Sequence, residues 1–140
     1  MKPAFVLDCS VAMSWCFADE ENPYAEMVLD RLATTAAVVP TLWRLESANV
    51  LLAAERHRRI THIEMMRLAA FLSDLPIQED AETTRHGFAR ILELGHTYHL
   101  TAYDAAYLEL ALRLGLPLAT LDQPLGRAAR DAGLPLLEES

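Results

Sequence analysis

The sequence predicts an α/β domain of three layers (α/β/α), in which a five-stranded parallel sheet lies between two layers of helices. Short apolar segments alternate with longer segments whose apolar residues recur at helical spacing, along all 140 residues. No repeat, low-complexity tract or linker interrupts this alternation. We therefore expect residues 1–140 to form one domain, with helices on both faces of its parallel sheet.

The expected elements follow from apolar spacing and from residues that begin or end helices. We expect strands at residues 4–8, 36–40, 76–78, 118–122 and 134–137. We expect helices at residues 11–17, 24–32, 42–58, 61–75, 81–95, 99–114 and 123–132. Thr61 and Glu64 have the spacing of a capping box, and Gly115 is typical of a residue that ends a helix. Pro135 places the fifth strand near an edge of the sheet, because proline has no backbone N–H to donate.

Composition and charge argue against some classes of protein and favour others. The formal net charge of −8 argues against broad electrostatic binding of nucleic acid, so any binding to a phosphate backbone needs a local basic patch or bound cations. No apolar run approaches the ~20 residues of a membrane span, and the N-terminus has no signal-peptide layout. We expect a cytoplasmic protein in which Cys9 and Cys16 are reduced.

The segment at 99–114 is apolar on almost every side, which is typical of a helix buried between other elements. Asp104 lies near its start, where an unpaired buried carboxylate would be very costly. One explanation is local, because Thr101 and Asp104 fit a capping box and a carboxylate suits the positive end of a helix. The other explanation is that Asp104 belongs to a site built from several parts of the chain.

Three further acidic residues are placed where the expected fold would bring them to Asp104. Asp8 and Asp122 end the first and fourth strands, and in open parallel sheets the ligand crevice lies beyond such strand ends. The helix that contains Asp104 leads into the fourth strand, so its N-terminus lies at the same edge of the sheet. Glu46 interrupts the apolar stripe of the helix that follows the second strand. We expect these four carboxylates to meet.

Carboxylates brought together repel one another and hold extra protons unless cations compensate them. Mg²⁺ and Mn²⁺ prefer oxygen ligands, so the pattern predicts a Mg²⁺ or Mn²⁺ site at Asp8, Glu46, Asp104 and Asp122. The hydroxyls of Ser10 and Thr120 lie two residues from Asp8 and Asp122, respectively, and are accessory candidates. They could hold a carboxylate, a water or a phosphate oxygen.

Each acidic residue also has an ordinary structural explanation. Asp8 could cap the helix that follows it, and Asp122 could be a turn residue before Gln-Pro. Glu46 could be a partly exposed helix residue paired with Arg44 or Asn49. The joint placement at one sheet edge, rather than any single residue, favours the metal site.

Four segments together resemble the PIN-domain family, and more narrowly the VapC-type toxin ribonucleases of type II toxin–antitoxin systems. They are Val6-Leu-Asp8-Cys-Ser10-Val-Ala with Trp15; Val39-Pro40 with Glu46-Ser-Ala-Asn49-Val-Leu51; Leu100-Thr-Ala-Tyr-Asp104-Ala-Ala-Tyr107-Leu; and Pro117-Leu-Ala-Thr120-Leu-Asp122-Gln-Pro-Leu125 with Ala128-Ala129. The third and fourth segments, in this order and at this separation, are the strongest. Ser14 departs from the pattern, because many members have a basic residue before the tryptophan.

The resemblance implies a five-stranded PIN-like sheet and a Mg²⁺- or Mn²⁺-dependent endoribonuclease. It implies a homodimer, neutralised by a cognate antitoxin, which could form a toxin–antitoxin hetero-oligomer. The family's acidic residues fall on Asp8, Glu46, Asp104 and Asp122, and its accessory hydroxyls fall on Ser10 and Thr120. The alternative is a PIN-like binding module without catalytic activity.

Contact with RNA would depend on local arginines, since the chain is acidic. The candidates are Arg56, Arg58, Arg59, Arg127 and Arg130. Solvated helix faces explain the same residues without RNA.

Overall fold

The computed structural model describes residues 1–138, apart from the side chain of Thr84. Its strands are β1 (Pro3–Leu7), β2 (Ala36–Pro40), β3 (Ile77–Asp80) and β4 (Leu118–Ala119). Its helices are α1 (Cys9–Cys16), α2 (Pro23–Arg31), α3 (Leu42–Arg56), α4 (His62–Asp74), α5 (Glu82–His86), α6 (Phe88–Tyr98), α7 (Ala102–Leu114) and α8 (Gln123–Asp131). A short 3-10 turn, Ala18–Glu20, lies between α1 and α2.

The sheet is parallel throughout, in the order β3-β2-β1-β4. All five residues of β2 are buried, as are the last three of β1. Successive strand residues point to opposite faces, so both faces of the sheet are covered. The predicted parallel α/β fold is therefore confirmed.

The prediction of a fifth strand at residues 134–137 is wrong. Within the described residues this segment makes one isolated parallel bridge, between Leu118 and Leu136. The Leu118 N–H donates to the Pro135 carbonyl, and the Leu137 N–H donates to the Leu118 carbonyl. The ladder stops there because β4 has only two residues and Pro135 has no N–H of its own.

Most helix ends differ from expectation by one or two residues, and two differences are larger. The single helix expected at 81–95 is two helices, which meet at Gly87. A Cβ at Gly87 would lie 2.5 Å from the Thr83 carbonyl oxygen, so the close approach at this junction requires glycine. The helix expected from residue 99 begins at Ala102, because His99 adopts the left-handed conformation that ends α6.

Helix α7 has the longest run of buried residues among the described helices, from Ala105 to Ala111. It packs against β1 and β2 on one side and against α6 and α8 on others. Its antiparallel course relative to β4 places its N-terminus beside the carboxyl ends of β1 and β4. No helix among residues 1–138 is long and apolar enough to cross a membrane.

Candidate metal centre

The first component of the site is the pair of strands β1 and β4. Leu7 lies opposite Ala119, and the Asp8 N–H donates to the Ala119 carbonyl at 3.0 Å. The register brings Asp8 beside Thr120, although 112 residues separate them. The first and fourth strands are therefore neighbours in the sheet.

Asp8 is buried and accepts two short hydrogen bonds on the same oxygen, Oδ2. Ser10 Oγ and Thr120 Oγ1 each donate to it at 2.7 Å. Asp8 precedes α1 at the N-cap position, but its side chain makes no capping hydrogen bond. The capping explanation for Asp8 is therefore wrong.

The two hydroxyls also accept hydrogen bonds from the backbone that follows β4. Ser10 Oγ accepts from the Leu121 N–H and Thr120 Oγ1 accepts from the Asp122 N–H, both at 3.0 Å. The sequence left a carboxylate, a water or a phosphate oxygen as partners for these hydroxyls, and in the structure both hold the carboxylate of Asp8. They also tie the turn that contains Asp122 to the end of β1.

Glu46 lies on α3 and accepts a 2.5 Å hydrogen bond from the hydroxyl of Tyr107 on α7. Its expected alternative partner Arg44 instead pairs with Glu79 at 2.6 Å. Tyr107 is completely buried, and its role at the site was missed from the sequence. The available signal was its spacing of three residues from Asp104, which places both side chains on one side of a helix.

The side chain of Asp122 caps a helix, whereas that of Asp104 does not. Thr101 caps α7 by accepting from the Asp104 N–H at 3.2 Å, but only α4 has the complete capping box among the described helices. Asp122 does cap α8, since its Oδ2 accepts from the Leu125 N–H at 3.2 Å. The structural role of Asp122 thus coexists with a place beside Asp104.

We call Asp8, Glu46, Asp104 and Asp122 the carboxylate cluster. The pKa values of three of them are raised in part by the negative charge of other members. Burial, followed by the charges of Asp122, Asp8 and Glu46, raises the pKa of Asp104 to about 6. Burial also raises the pKa of Asp8, although the Ser10 and Thr120 hydroxyls oppose it. The pKa of Glu46 is raised by burial and by Asp8, against the hydrogen bond from Tyr107.

The donor set of the cluster suits a hard divalent cation. Every donor is a carboxylate oxygen, and burial together with the neighbouring negative charges raises the pKa of Asp104 to about 6. Within residues 1–138, no three His, Cys, Asp or Glu side chains stand close enough together to form a ready-made metal site. The chemistry of the donors therefore fits Mg²⁺ or Mn²⁺, while the described side chains are spaced more widely than in a closed coordination shell.

The five arginines proposed for RNA contact differ in their position and in their partners. Arg59 donates to Asp19 at 2.9 Å and to Glu20 at 3.1 Å, and its guanidinium lies 4.4 Å from the centre of the Phe17 ring. Arg56 and Arg58 are exposed at the end of α3. Arg127 and Arg130 are exposed on α8, the helix that Asp122 caps.

The two cysteines are free thiols, as expected from the sequence. Cys9 is buried next to Asp8, and burial raises the pKa of its thiol to about 12. It therefore stays protonated and unreactive at neutral pH.

Three solved structures share this fold. PAE2754 from Pyrobaculum aerophilum is 23% identical, with a TM-score of 0.68, and the alignment covers 91% of this chain and 87% of that one. VapBC2 from Rickettsia felis, bound to a DNA fragment from their promoter, is 15% identical over 97% and 98% of the two chains, with a TM-score of 0.66. VapC20 from Mycobacterium tuberculosis, a sarcin–ricin loop cleaving toxin, is 13% identical over 96% and 99%, with a TM-score of 0.64.

A comparison with curated protein sequences produces no match. The sequence model of one family, the PIN domain, matches residues 5–131, which is most of the chain and includes all four carboxylates. This chain belongs to the PIN-domain family.

Proposed function

We propose that this protein is a metal-dependent endoribonuclease, the toxin of a toxin–antitoxin pair, and that it hydrolyses RNA phosphodiester bonds. The observation that supports this most directly is the placement of Asp8, Glu46, Asp104 and Asp122 at one sheet edge, where burial and then neighbouring carboxylates raise the pKa values of Asp8, Glu46 and Asp104. Such a concentration of partly buried negative charge is unfavourable by itself and becomes favourable around divalent cations.

The four carboxylates would hold one or two Mg²⁺ or Mn²⁺ ions. When bound, such an ion lowers the pKa of a water molecule and offsets the negative charge of the phosphodiester. Water then adds to phosphorus in line with the leaving 3′ oxygen, and the bond between phosphorus and that oxygen breaks. The products carry a 5′ phosphate and a 3′ hydroxyl, in keeping with the family resemblance.

The chain's own residues orient the acids for this reaction. Ser10 and Thr120 hold Oδ2 of Asp8, which leaves its Oδ1 free of both hydroxyls. Tyr107 holds Oε1 of Glu46 in the same way. Because these donors are fixed by the packing of β4 and α7, the two carboxylates keep one orientation before any substrate arrives.

The toxin assignment draws on the fold neighbours, one of which is a VapBC assembly and another a toxin that cleaves the sarcin–ricin loop. We propose a cytoplasmic homodimer that binds a cognate antitoxin. The net charge of −8 favours a partner with a basic binding segment. An adjacent reading frame whose product co-purifies with this chain and suppresses its ribonuclease activity would support the pairing.

The decisive experiment measures cleavage of labelled single-stranded RNA with Mn²⁺ or Mg²⁺, and with a chelator in place of the metal. We expect cleavage only with metal. We expect the double variant Asp8→Asn with Asp104→Asn to lose more than about 100-fold in rate while keeping its fold. The control is Glu21→Gln with Asp74→Asn, which removes the same charge from exposed positions.

Full metal-dependent cleavage by the folded double variant would overturn the assignment of the site. Calorimetric titration of the wild-type chain with Mn²⁺ distinguishes the ribonuclease from the alternative function. The absence of both binding at millimolar Mn²⁺ and cleavage would favour a PIN-like binding module without catalytic activity.

A further inference from the structure

A cavity of about 500 Å³ opens beside the carboxylate cluster, with Thr120 and Asp122 in its wall. Helices α2 and α8 and the segment after α8 complete its lining. Its volume lies within the range of roughly 300–1,000 Å³ that is typical of small-molecule sites in proteins. A ligand in this cavity would therefore adjoin whatever is bound at the cluster.

Two unpaired cations stand at this cavity. Arg127 and Arg130 both line it, and neither has an ion pair or hydrogen-bond partner among the described residues. They are three residues apart on α8, so they share a face of that helix. Two guanidinium groups that line one cavity without a partner among the described residues suit an anionic ligand.

Another part of the lining is apolar. Leu136 and Leu137 contribute to it together with the side chain of Tyr24, whose hydroxyl is held by the Leu137 carbonyl at 2.7 Å. Gly126 has no side chain to fill the space, and a Cβ there would lie 3.7 Å from Leu136 Cδ1. An apolar wall with one aromatic ring suits the flat face of a nucleobase.

Two cations that lack a partner among residues 1–138, together with an apolar part of the same lining, match the two halves of a nucleotide. We propose that this cavity binds the nucleotide of single-stranded RNA next to the cleaved phosphodiester, with Arg127 and Arg130 on phosphate and the apolar wall on the base. Glu138 also lines the cavity and repels phosphate, so we place the phosphate next to Arg127 and Arg130. The inference rests on the proposed ribonuclease function and adds a substrate-binding site to it.

The test measures binding of a short fluorescent single-stranded RNA by anisotropy, with a chelator present so that cleavage cannot occur. We expect Arg127→Gln with Arg130→Gln to weaken binding by about tenfold or more. We also expect the slope of log affinity against log salt concentration to become shallower by about 1.4, since each lost contact with single-stranded phosphate contributes about 0.7.

The matched control is Arg67→Gln with Arg90→Gln, which removes two positive charges from α4 and α6. Its salt slope should stay at the wild-type value. If the Arg127 and Arg130 variant binds RNA with wild-type affinity and slope, the cavity serves another ligand, such as an acidic protein segment, and the proposal is overturned.

The experiment separates this proposal from the proposed function. If the wild type cleaves RNA with Mn²⁺ but the Arg127 and Arg130 variant binds RNA as the wild type does, the nucleotide site is refuted and the ribonuclease function stands. Wild-type protein that neither binds nor cleaves RNA would remove both.

Discussion

The hydroxyl of Tyr107 donates a 2.5 Å hydrogen bond to Oε1 of Glu46, across 61 positions of sequence. The bond joins α7 to α3 at the carboxylate cluster. Burial and the hydrogen-bonded carboxylate of Glu46 raise the pKa of Tyr107 above its ordinary value, so the hydroxyl remains a donor at neutral pH. Tyr107 is thus a positioning residue for Glu46.

Replacing Tyr107 by Phe should weaken Mn²⁺ binding by about tenfold, because partners of this kind around metal ligands contribute 10- to 100-fold to affinity. The ring is retained, so the buried packing of α7 should survive. Calorimetric titration with Mn²⁺ measures the change. Tyr103→Phe is the control, since Tyr103 lies on the same helix with 63% of its surface exposed. Equal Mn²⁺ affinities for the two variants would contradict the role given to Tyr107.

Asp104→Asn should stabilise the metal-free protein near neutral pH. The folded-state pKa of Asp104 is about 6, above its ordinary value of 3.8. Between these values the folded chain binds more protons than the unfolded chain, so stability falls as pH rises. Asn remains neutral and escapes this loss. After a discount for solvent screening, since Asp104 is partly exposed, we expect a gain of about 1 kcal/mol, or about 3 °C in Tm.

Thermal denaturation as a function of pH checks this prediction. Below about pH 4 the gain should vanish, because Asp104 is then protonated in both the folded and unfolded states. Added Mn²⁺ should raise the Tm of the wild type more than that of the variant. A variant less stable than the wild type near neutral pH, without metal, would indicate that Asp104 has a stabilising partner instead.

Thr120→Val should destabilise the protein by about 1–3 kcal/mol, because it removes a donor from the buried carboxylate of Asp8. Valine has nearly the same shape, so packing changes little. Urea unfolding gives the free energy. Thr97→Val on α6 is the control, since Thr97 is exposed. Equal losses at the two positions would mean that the hydroxyl of Thr120 does not support Asp8.

Arg113→Gln tests a second charge network, away from the carboxylate cluster. Arg113 pairs with Asp80 at 2.6 Å and with Glu109 at 2.8 Å, and the Glu109 side chain is only 5% exposed. Removing the cation leaves a buried carboxylate without its partner, which should cost about 3 kcal/mol or more in unfolding free energy. Arg90→Gln breaks an exposed pair with Glu93 and should cost less than about 0.5 kcal/mol. Similar unfolding midpoints in urea for these two variants would refute the prediction.

The sequence anticipated the elements more reliably than their ends. Alternation of apolar segments and helical periodicity predicted the four parallel strands that the structure contains. The break at Gly87 had a local signal, a glycine within a predicted helix, which was passed over. Pro135, which has no N–H to donate, was one indication that residues 134–137 would not form a full strand. The other reason is that β4 has only two residues for them to pair with.

The candidate site was anticipated to the level of residues but not of contacts. The spacing of Ser10 and Thr120 from the acids indicated a shared side of the chain, while three partners for their hydroxyls remained open. Tertiary structure chose Asp8 by placing β4 beside β1 in one register. It also paired Arg44 with Glu79 and left Glu46 to Tyr107.

By itself the sequence determined the parallel α/β class and most helix starts, because each depends on residues a few places apart, and it suggested the four acidic positions of the candidate site. Tertiary structure alone decided which hydroxyl holds which carboxylate, how far β4 extends and that Arg127 and Arg130, which lack partners among the described residues, line one cavity with apolar side chains. These outcomes depend on strand order and helix packing, which join residues as far apart as Asp8 and Thr120 and leave no trace in local spacing.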